Sequence, residues 1–515
     1  MALLVDSGRG YGSLAREAAD VREPAEVREP ADVGEEGREQ GEVRAVAPTL
    51  PEKPVPVVTR FGTDGLRGLA NSQLTPEVAM GLGRAVARVV GRGHLGGPHE
   101  RFIVGRDTRR SGPLLQAALS AGISAEGLDV TDVGVLSTPA VAYLAVERSA
   151  PAAVISASHN PFPDNGIKFF SAIGSKLPEE LERALESELC ALLAQRTVAG
   201  SPTGVGVGRI DRDVNAVKRY EQYLLSCLEG RDLRGLRVVL DCGNGAAFRT
   251  APAVFRAAGA RVAAVLGDEP DGTNINLGCG STDPRLLSET VVAKAADLGV
   301  AFDGDADRVI AVDSAGKVVD GDRILALFAT DLAARQRLVG STVVVTVMTN
   351  LGFYRAMEAS GIKVCTVDVG DRHVVEALDA NAWALGGEQS GHIVFRSWAT
   401  TGDGVLSGLL LADLVTRRGE PLAGLASAAM EHCPQVLHNV AVADKEGLES
   451  ATAVWREVAE LQTGFGPRGR ILVRASGTEP IVRVMVEAPT RNEADWAALR
   501  IVSALEAALG SATRA

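Results

Sequence analysis

The sequence predicts an α/β protein: three similar α/β domains with mixed, largely parallel sheets, followed by a smaller C-terminal α+β domain. Two observations carry this. A strand–helix–strand pattern occurs three times, with its copies more than a hundred residues apart, and the last stretch of the chain has a different texture. Strand–helix–strand units build parallel sheets covered by helices, because parallel neighbours need a crossover. A length of 515 residues suits three or four such domains.

In the first copy, Arg101–Arg106 is a short apolar run, residues 113–126 read as helix, and Gly127 stops the helix before a new strand. Ahead of it, Thr75-Pro-Glu reads as an N-cap with proline at the first helical position, followed by Val78, Leu82, Val86 and Val89 at helical spacing. The second copy runs from a strand over 236–241 through a Gly-rich turn, a helix over 247–258 and Gly259 to a strand from Arg261. The third runs from a strand over 342–348 through a helix over 351–360 and Gly361 to a strand ending at Val367. After these come a strand over 437–442, a helix over 448–461, strands flanking Arg474 and Arg483, and a last helix from Asn492, which reads as α+β. The limits this gives are 59–212, 213–313, 314–431 and 432–515.

Residues 1–58 differ from the rest. The hexad Ala19-Asp-Val-Arg-Glu-Pro24 repeats as Ala25-Glu-Val-Arg-Glu-Pro30, and ten acids and five arginines fall between Arg16 and Arg44. That composition buries too little apolar surface to offset ordering entropy, so the segment reads as a disordered acidic extension. The whole chain is 46% hydrophobic, as expected of a soluble protein, with a formal net charge of -12, which argues against nucleic-acid binding. Six cysteines without a C-x-x-C pair argue against a zinc or disulfide framework and fit a reducing cytoplasm. No basic start with an apolar core marks a signal peptide, and no apolar run approaches the roughly 18 residues of a membrane span.

Four stretches carry chemistry. Ser156-Ala-Ser158-His159-Asn-Pro-Phe-Pro-Asp-Asn-Gly-Ile-Lys168 follows the apolar run Ala152–Ile155. Ligands gather at the carboxyl ends of parallel strands, so Ser158 is placed to offer a hydroxyl, with His159 and Lys168 as candidate assistants. The same residue types also make ordinary turns. Asp303-Gly-Asp305-Ala-Asp307-Arg308 sets three carboxylates at alternate positions between apolar flanks. They repel unless a cation neutralises them, and oxygen-only ligands favour a hard ion such as Mg²⁺. An EF-hand fails here: Arg308 stands where it needs glycine and Ser314 where it needs glutamate. Gly386-Gly-Glu388-Gln-Ser390-Gly-His392 offers a carboxylate and hydroxyl for sugar hydroxyls and an imidazole for proton transfer. Arg474-Ala-Ser476-Gly477-Thr478-Glu-Pro-Ile-Val-Arg483 brackets a Ser/Gly/Thr loop with arginines, which suits a phosphate dianion. Asp241-Cys-Gly243-Asn-Gly245-Ala-Ala-Phe248 resembles a dinucleotide fingerprint but lacks its third glycine, and reads as a plain strand-to-helix turn.

Together with Gly105-Arg-Asp-Thr-Arg-Arg-Ser-Gly112, Asp271-Gly-Thr-Asn-Ile-Asn276, Val369-Gly-Asp-Arg372 and Thr400-Thr-Gly-Asp-Gly404, these stretches resemble the α-D-phosphohexomutase superfamily from Thr59 onward. Phe61-Gly-Thr-Asp-Gly-Leu-Arg67-Gly68 resembles its bacterial phosphoglucosamine mutase branch more than the phosphomannomutase/phosphoglucomutase branch, the nearest rival. The resemblance implies four domains around a central cleft and interconversion of glucosamine 6-phosphate and glucosamine 1-phosphate through a phosphoserine and a 1,6-bisphosphate. It implies Ser158 as that serine, with Asp303, Asp305 and Asp307 holding one Mg²⁺ together with its phosphate. Glu388 and Ser390 match the sugar loop, and Arg474, Ser476, Gly477, Thr478 and Arg483 the phosphate loop. Lys168 matches a general base, Arg67 and Arg308 match cations lining the cleft, and His392 is the candidate for proton transfer in the reverse sense. A sugar 1,6-bisphosphate as activator, a homodimer, and first phosphorylation of Ser158 by a protein kinase or by autophosphorylation follow from the same resemblance. His373, where tyrosine is common, and Asp368, often not acidic in relatives, depart from the pattern. A non-catalytic sugar-phosphate-binding protein and a nicotinamide-dependent oxidoreductase are the rivals from other classes.

Overall fold

In the computed structural model, residues 59–62, 64–89, 99–194, 200–476 and 481–510 are described. The acidic extension, Gly477 and Thr478 lie outside them.

The first sheet has six strands: β1 (Leu66–Leu69), β2 (Arg101–Arg106), β3 (Asp129–Val135), β4 (Ala152–Ile155), β5 (Asp164–Phe170) and β6 (Ile210–Arg212), ordered β1-β5-β4-β2-β3-β6. The second has five: β7 (Arg237–Asp241), β8 (Arg261–Leu266), β9 (Leu298–Phe302), β10 (Val309–Asp313) and β11 (Val318–Val319), ordered β11-β10-β9-β7-β8. The third has four: β12 (Thr342–Thr346), β13 (Lys363–Val367), β14 (Leu385–Gly387) and β15 (Ile393–Phe395), ordered β13-β12-β14-β15. A separate three-stranded antiparallel sheet of β16 (Gln435–Ala441), β17 (Arg470–Ala475) and β18 (Ile481–Glu487) is covered by helices Thr452–Phe465 and Arg491–Leu509.

The three α/β sheets repeat one topology. In each, the first strand pairs in parallel with the second and third, and a fourth returns antiparallel beside the third: β4 with β5, β9 with β10, β14 with β15. The sequence pattern marks the first half of each repeat. The structure adds the closing hairpin, and three of the four chemistry-bearing stretches sit in that hairpin. The fourth lies at the β17–β18 hairpin. Each stretch thus leaves a strand end, where side chains can converge in a cleft.

Three elements differ from expectation. The helix expected over 448–461 runs over Thr452–Phe465. The helix expected over 247–258 runs only over Thr250–Ala257, because the preceding turn packs against the loop after β9. The strand expected over 342–348 ends at Thr346, where the chain turns and Asn350 caps helix Leu351–Ala359, accepting from the Gly352 N–H.

Packing follows the same division. Residues of the second and third sheets share one large core with helix Thr138–Arg148 of the first domain. The far face of the first sheet buries Leu66, Phe102, Ile155 and Ile167 against helices Pro76–Val89 and Gly112–Ala125. The C-terminal sheet has a core of its own around Val454, Val484 and Ile501. It is tied to the third domain by polar contacts: Asn350 Nδ2 donates to the Cys433 carbonyl at 2.9 Å, and the Leu351 N–H donates to Glu487 Oε1 at 3.0 Å.

Candidate active site

Ser158 opens the β4–β5 hairpin. Its φ is +50°, a left-handed conformation that a non-glycine residue keeps only when its surroundings hold it there. The surroundings are specific. Arg109, fully buried, donates from Nη2 to the carbonyls of Ser158 and Asn160 at 2.8 Å each, and from Nη1 to the carbonyls of Asp164 and Pro161. Its Nε donates to Asp107 Oδ2 at 2.8 Å, and that oxygen also accepts from Ser156 Oγ at 2.7 Å. Ser156 Oγ in turn accepts from the Ser158 N–H at 2.9 Å. Burial raises the Asp107 carboxyl, with Arg109 pulling the other way. Asn276 Nδ2 adds a bond to the Ser158 carbonyl at 2.9 Å from the second domain.

The Ser158 hydroxyl donates to Asp303 Oδ2 at 2.6 Å and lies 3.3 Å from His159 Nδ1. Burial, then Arg308 and Arg67, lower the His159 pKa to about 4, so the ring is neutral and can accept. The hairpin loops of the first two domains therefore meet side chain to side chain. Gly304 allows this, since a Cβ there would lie 2.6 Å from the Ser158 carbonyl oxygen. The glycine turn that mimics a dinucleotide fingerprint has a structural task. It seats the aspartate loop, with the Ala246 N–H donating to the Gly304 carbonyl at 2.8 Å.

Asp303, Asp305 and Asp307 are all buried, with one carboxylate oxygen from each lying within 4.8 Å of the others. Asp305 Oδ1 and Asp307 Oδ1 are buried without a hydrogen-bond partner. Burial, and then Asp307 and Asp305, push Asp303 well above its usual range. Orphaned anionic oxygens converging in an all-oxygen set fit a hard divalent cation such as Mg²⁺.

Cations and carboxylates surround this set. Lys168 Nζ is 3.0 Å from Asp305 Oδ2 and 3.0 Å from Asp64 Oδ2. Burial disfavours its charge, but Asp305, Asp64 and Asp307 outweigh that and raise its pKa, so Lys168 is an ammonium. Thr138 Oγ1 donates to the same Asp305 oxygen at 2.7 Å. Arg67 pairs with Asp64 and reaches Asn160 Oδ1 at 3.4 Å. The Arg308 N–H donates to Asp303 Oδ1 at 3.2 Å, leaving its partly exposed guanidinium beside the cleft.

The third hairpin brings Glu388, half-buried, with its Oε1 accepting from the Gly370 N–H at 3.2 Å; Ser390 is exposed. His392 is buried, with Nδ1 3.6 Å from Asp307 Oδ2. Burial lowers its pKa, while Asp307, Asp371 and Glu388 raise it to about 9 on balance. The Gly402 N–H donates to Nε2 at 3.0 Å, which favours instead the neutral ring protonated at Nδ1 and facing Asp307. The backbone donor is fixed, so the geometry assigns that tautomer. A Cβ on Gly402 would lie 2.5 Å from the ring, so Thr400-Thr-Gly-Asp-Gly404 acts as the floor beneath His392.

Across β17 and β18, Arg474 and Arg483 stand in direct register. Like charges opposite each other destabilise a strand pair unless an anion joins them. Burial first, then Arg483, lower the Arg474 pKa, with Asp368 acting the other way. Ser476 is buried at the loop's start, and its carbonyl accepts from Lys445 Nζ at 2.8 Å.

The structure thus gathers Ser158, His159, Lys168, the three aspartates, Arg67, Arg308 and His392 at one centre. Glu388 lies close enough for its charge to act on Arg308 and His392. Arg474, Ser476 and Arg483 stand on the separate C-terminal sheet. Asp64, Asp107, Arg109, Asn276, Asp371 and Gly402 lie in stretches that carry the family resemblance but have no role assigned from sequence, and Thr138 and Lys176 lie outside every such stretch. A findable signal existed for Asp107 and Arg109, which follow directly on strand β2 at its carboxyl end, the same rule that marked Ser158.

Comparison with known proteins agrees with this fold. Residues 58–195, 218–316, 320–433 and 437–503 match, in order, the phosphoglucomutase/phosphomannomutase alpha/beta/alpha domains I, II and III and the C-terminal domain of that family. A protein of Desulforudis audaxviator named phosphoglucosamine mutase is 50% identical over 435 residues, 84% of this chain and 94% of the relative. A phosphoglucomutase/phosphomannomutase family protein from Burkholderia thailandensis superposes with a TM-score of 0.73 at 25% identity, over 88% of this chain and 97% of that one. Aspergillus fumigatus N-acetylphosphoglucosamine mutase, solved with GlcNAc-6P and magnesium, shares the fold at a TM-score of 0.62 and 19% identity, over 87% of this chain and 96% of that one.

Proposed function

We infer that this chain, which belongs to the phosphoglucosamine mutases of the phosphoglucomutase/phosphomannomutase family, interconverts glucosamine 6-phosphate and glucosamine 1-phosphate. The observation that carries the mechanism is the Ser158 hydroxyl, held in a left-handed turn 2.6 Å from a buried carboxylate of the triad.

Ser158 carries the phosphoryl group. The substrate's existing phosphate rests between Arg474 and Arg483, with Ser476, Gly477 and Thr478 as further donors; the facing arginines concentrate positive charge where a dianion would sit. Glu388 and Ser390 orient the ring hydroxyls. O1 of the sugar attacks phosphorus, so the O1–P bond forms as the Oγ–P bond breaks. This gives the 1,6-bisphosphate and a serine oxygen that takes up a proton. The bisphosphate turns over in the cleft and O6 returns its phosphoryl group to Ser158, releasing glucosamine 1-phosphate. A sugar 1,6-bisphosphate therefore serves as both intermediate and activator.

One Mg²⁺, held by Asp303, Asp305, Asp307 and the Ser158 phosphate, would neutralise the transferring oxygens and engage Asp305 and Asp307, two of the three carboxylates that keep Lys168 protonated. Lys168 must be neutral to accept the O1 proton, so its base role depends on that engagement. His392, with Nδ1–H toward Asp307, exchanges protons in the reverse sense. Arg67 and Arg308 offset charge on the transferring group.

Separate sheets support domain limits of 59–212, 213–313, 314–431 and 432–515 except at 313/314, which cuts the second sheet because its strand β11 spans Val318–Val319. Cytoplasmic residence is supported by six free cysteines. Among the described residues no helix is long and apolar enough to cross a membrane. A homodimer, and first phosphorylation of Ser158 by a protein kinase or by autophosphorylation, rest on the family resemblance alone. Turnover of glucosamine, glucose and mannose 6-phosphates by the purified protein tests the reading. Preference for glucosamine supports it, and preference for mannose or glucose moves the chain to the neighbouring branch.

A further inference from the structure

Three domains meet in a closed circuit of ammonium and carboxylate groups that the neutral His392 ring completes. Lys168 Nζ lies 3.0 Å from Asp305 Oδ2 and 3.0 Å from Asp64 Oδ2. Asp64 Oδ1 lies 2.9 Å from Lys176 Nζ, and that ammonium lies 2.6 Å from Asp371 Oδ2. Asp371 Oδ2 is 3.8 Å from His392 Nε2, whose Nδ1 is 3.6 Å from Asp307 Oδ2. Asp307 Oδ2 is 3.9 Å from Lys168 Nζ, which closes the circuit. The first domain supplies Asp64, Lys168 and Lys176, the second Asp305 and Asp307, the third Asp371 and His392.

We propose that Lys176 and Asp371 are positioning residues, an interdomain ion pair that sets the His392 hairpin of the third domain against the Ser158–Lys168 hairpin of the first. The proposal rests on the mutase reading above. Each partner sits where its backbone is fixed. Lys176 follows β5 through a turn in which the Ser171 N–H donates to the Ser175 carbonyl at 2.8 Å, and Asp371 is the first residue of helix Asp371–Asn381. Their side chains are mostly buried, at 16% and 15% exposure. A buried ion pair adds little net stability over apolar packing, so its physical worth lies in fixing one geometry.

The circuit shows what its loss does. Asp64 divides its two oxygens between Lys176 and Lys168. Without Lys176 it is left to Lys168 and Arg67, and draws the Lys168 ammonium away from Asp305. Without Asp371, the Lys176 ammonium loses its third-domain partner and the carboxylate beside His392 is gone, so the third domain loses its hold on the first at this point. Arg372 to Glu182, at 2.8 Å, remains as a neighbouring contact and keeps the domains associated.

The test is steady-state kinetics of Lys176→Met, Asp371→Asn and the double variant with Mg²⁺ and glucosamine 6-phosphate, alongside the parent and thermal unfolding of each. Each single variant should lose about 10–100-fold in kcat, as partners behind a metal centre do. KM should move less than about threefold, because substrate contacts remain. The double variant should fall no further than the worse single one, because the two residues act as one unit. The proposal is overturned if Asp371→Asn, the milder change, keeps kcat within about twofold of the parent, or if the two losses multiply. It is also overturned if kcat falls only in step with the folded fraction. An inactive parent would refute the mutase reading itself, whereas an active parent with unaffected variants refutes the ion pair's role.

Discussion

Replacing Arg109 by lysine tests whether the serine turn is held from behind. The parent guanidinium makes five contacts, to Asp107 and to the carbonyls of Ser158, Asn160, Pro161 and Asp164. Lysine has three donors on one atom and cannot span them. At least two carbonyls lose a charged donor, at about 1.5–3 kcal/mol each, so Arg109→Lys should cost roughly 3–6 kcal/mol. Asn276 still holds the Ser158 carbonyl, so the fold survives while the turn loosens. A displacement of the nucleophile by about 1 Å is worth about 100-fold in rate. Urea unfolding reads the stability, and initial rates on enzyme matched in phosphoserine content read the site. A loss below about 1 kcal/mol together with turnover within about twofold of the parent would refute the reasoning.

Asp305→Asn removes one of the clustered carboxylates, and should raise the Mg²⁺ concentration for half-maximal turnover by more than about tenfold without unfolding the chain; an unchanged Mg²⁺ titration would count against the triad as the metal site. Gly402→Ala pushes a methyl group to within 2.5 Å of the His392 ring and should lower turnover by about 10–100-fold with the melting temperature little changed, a result that full activity would exclude. Asp322, buried and pushed up to about 8 by burial, with Asp320 and Glu487 adding, gives a pH effect. The folded protein keeps a proton that the unfolded chain releases near 4, so this contribution to stability is complete at low pH and is lost as pH rises through about 8. Asp322→Asn keeps an oxygen for the Asn350 N–H, so its advantage over the parent should grow with pH by up to about 1.4 kcal/mol per unit between about 4 and 8. A pH-independent difference between the two would contradict that assignment.

The sequence makes the opening half of each repeat legible because apolar strands alternate with helices ended by Gly127, Gly259 and Gly361. The closing hairpins are not legible in that way. β14 and β15 are three residues each, too short for a periodic signal. β5 reads as a polar motif, although residues 165–170 are buried. The chemistry-bearing loops stand out because polar residues interrupt buried strands, as Asp303 does after Phe302. Their supports do not. Arg109 grips Ser158 from 49 residues away, and Asn276 from 118, so nothing local ties them together. Asp64 and Asp371 sit in motifs that carry the family resemblance and Lys176 in none, but nothing local pairs the three until the fold closes them into a circuit. The expectation for Lys168 shows a further limit: spacing places an amine near the serine, but only the carboxylates around it tell that it is an ammonium.

The most direct test of the central claim follows the phosphoryl group. The protein is incubated with Mg²⁺ and glucosamine 1,6-bisphosphate, its phosphorylated residue is mapped by mass spectrometry, and turnover of glucosamine 6-phosphate is measured in parallel for the parent and Ser158→Ala. The account predicts phosphate on Ser158 in the parent, none in the variant, and loss of nearly all turnover with it. Turnover that persists in Ser158→Ala, or phosphate carried stoichiometrically on another residue, would contradict it.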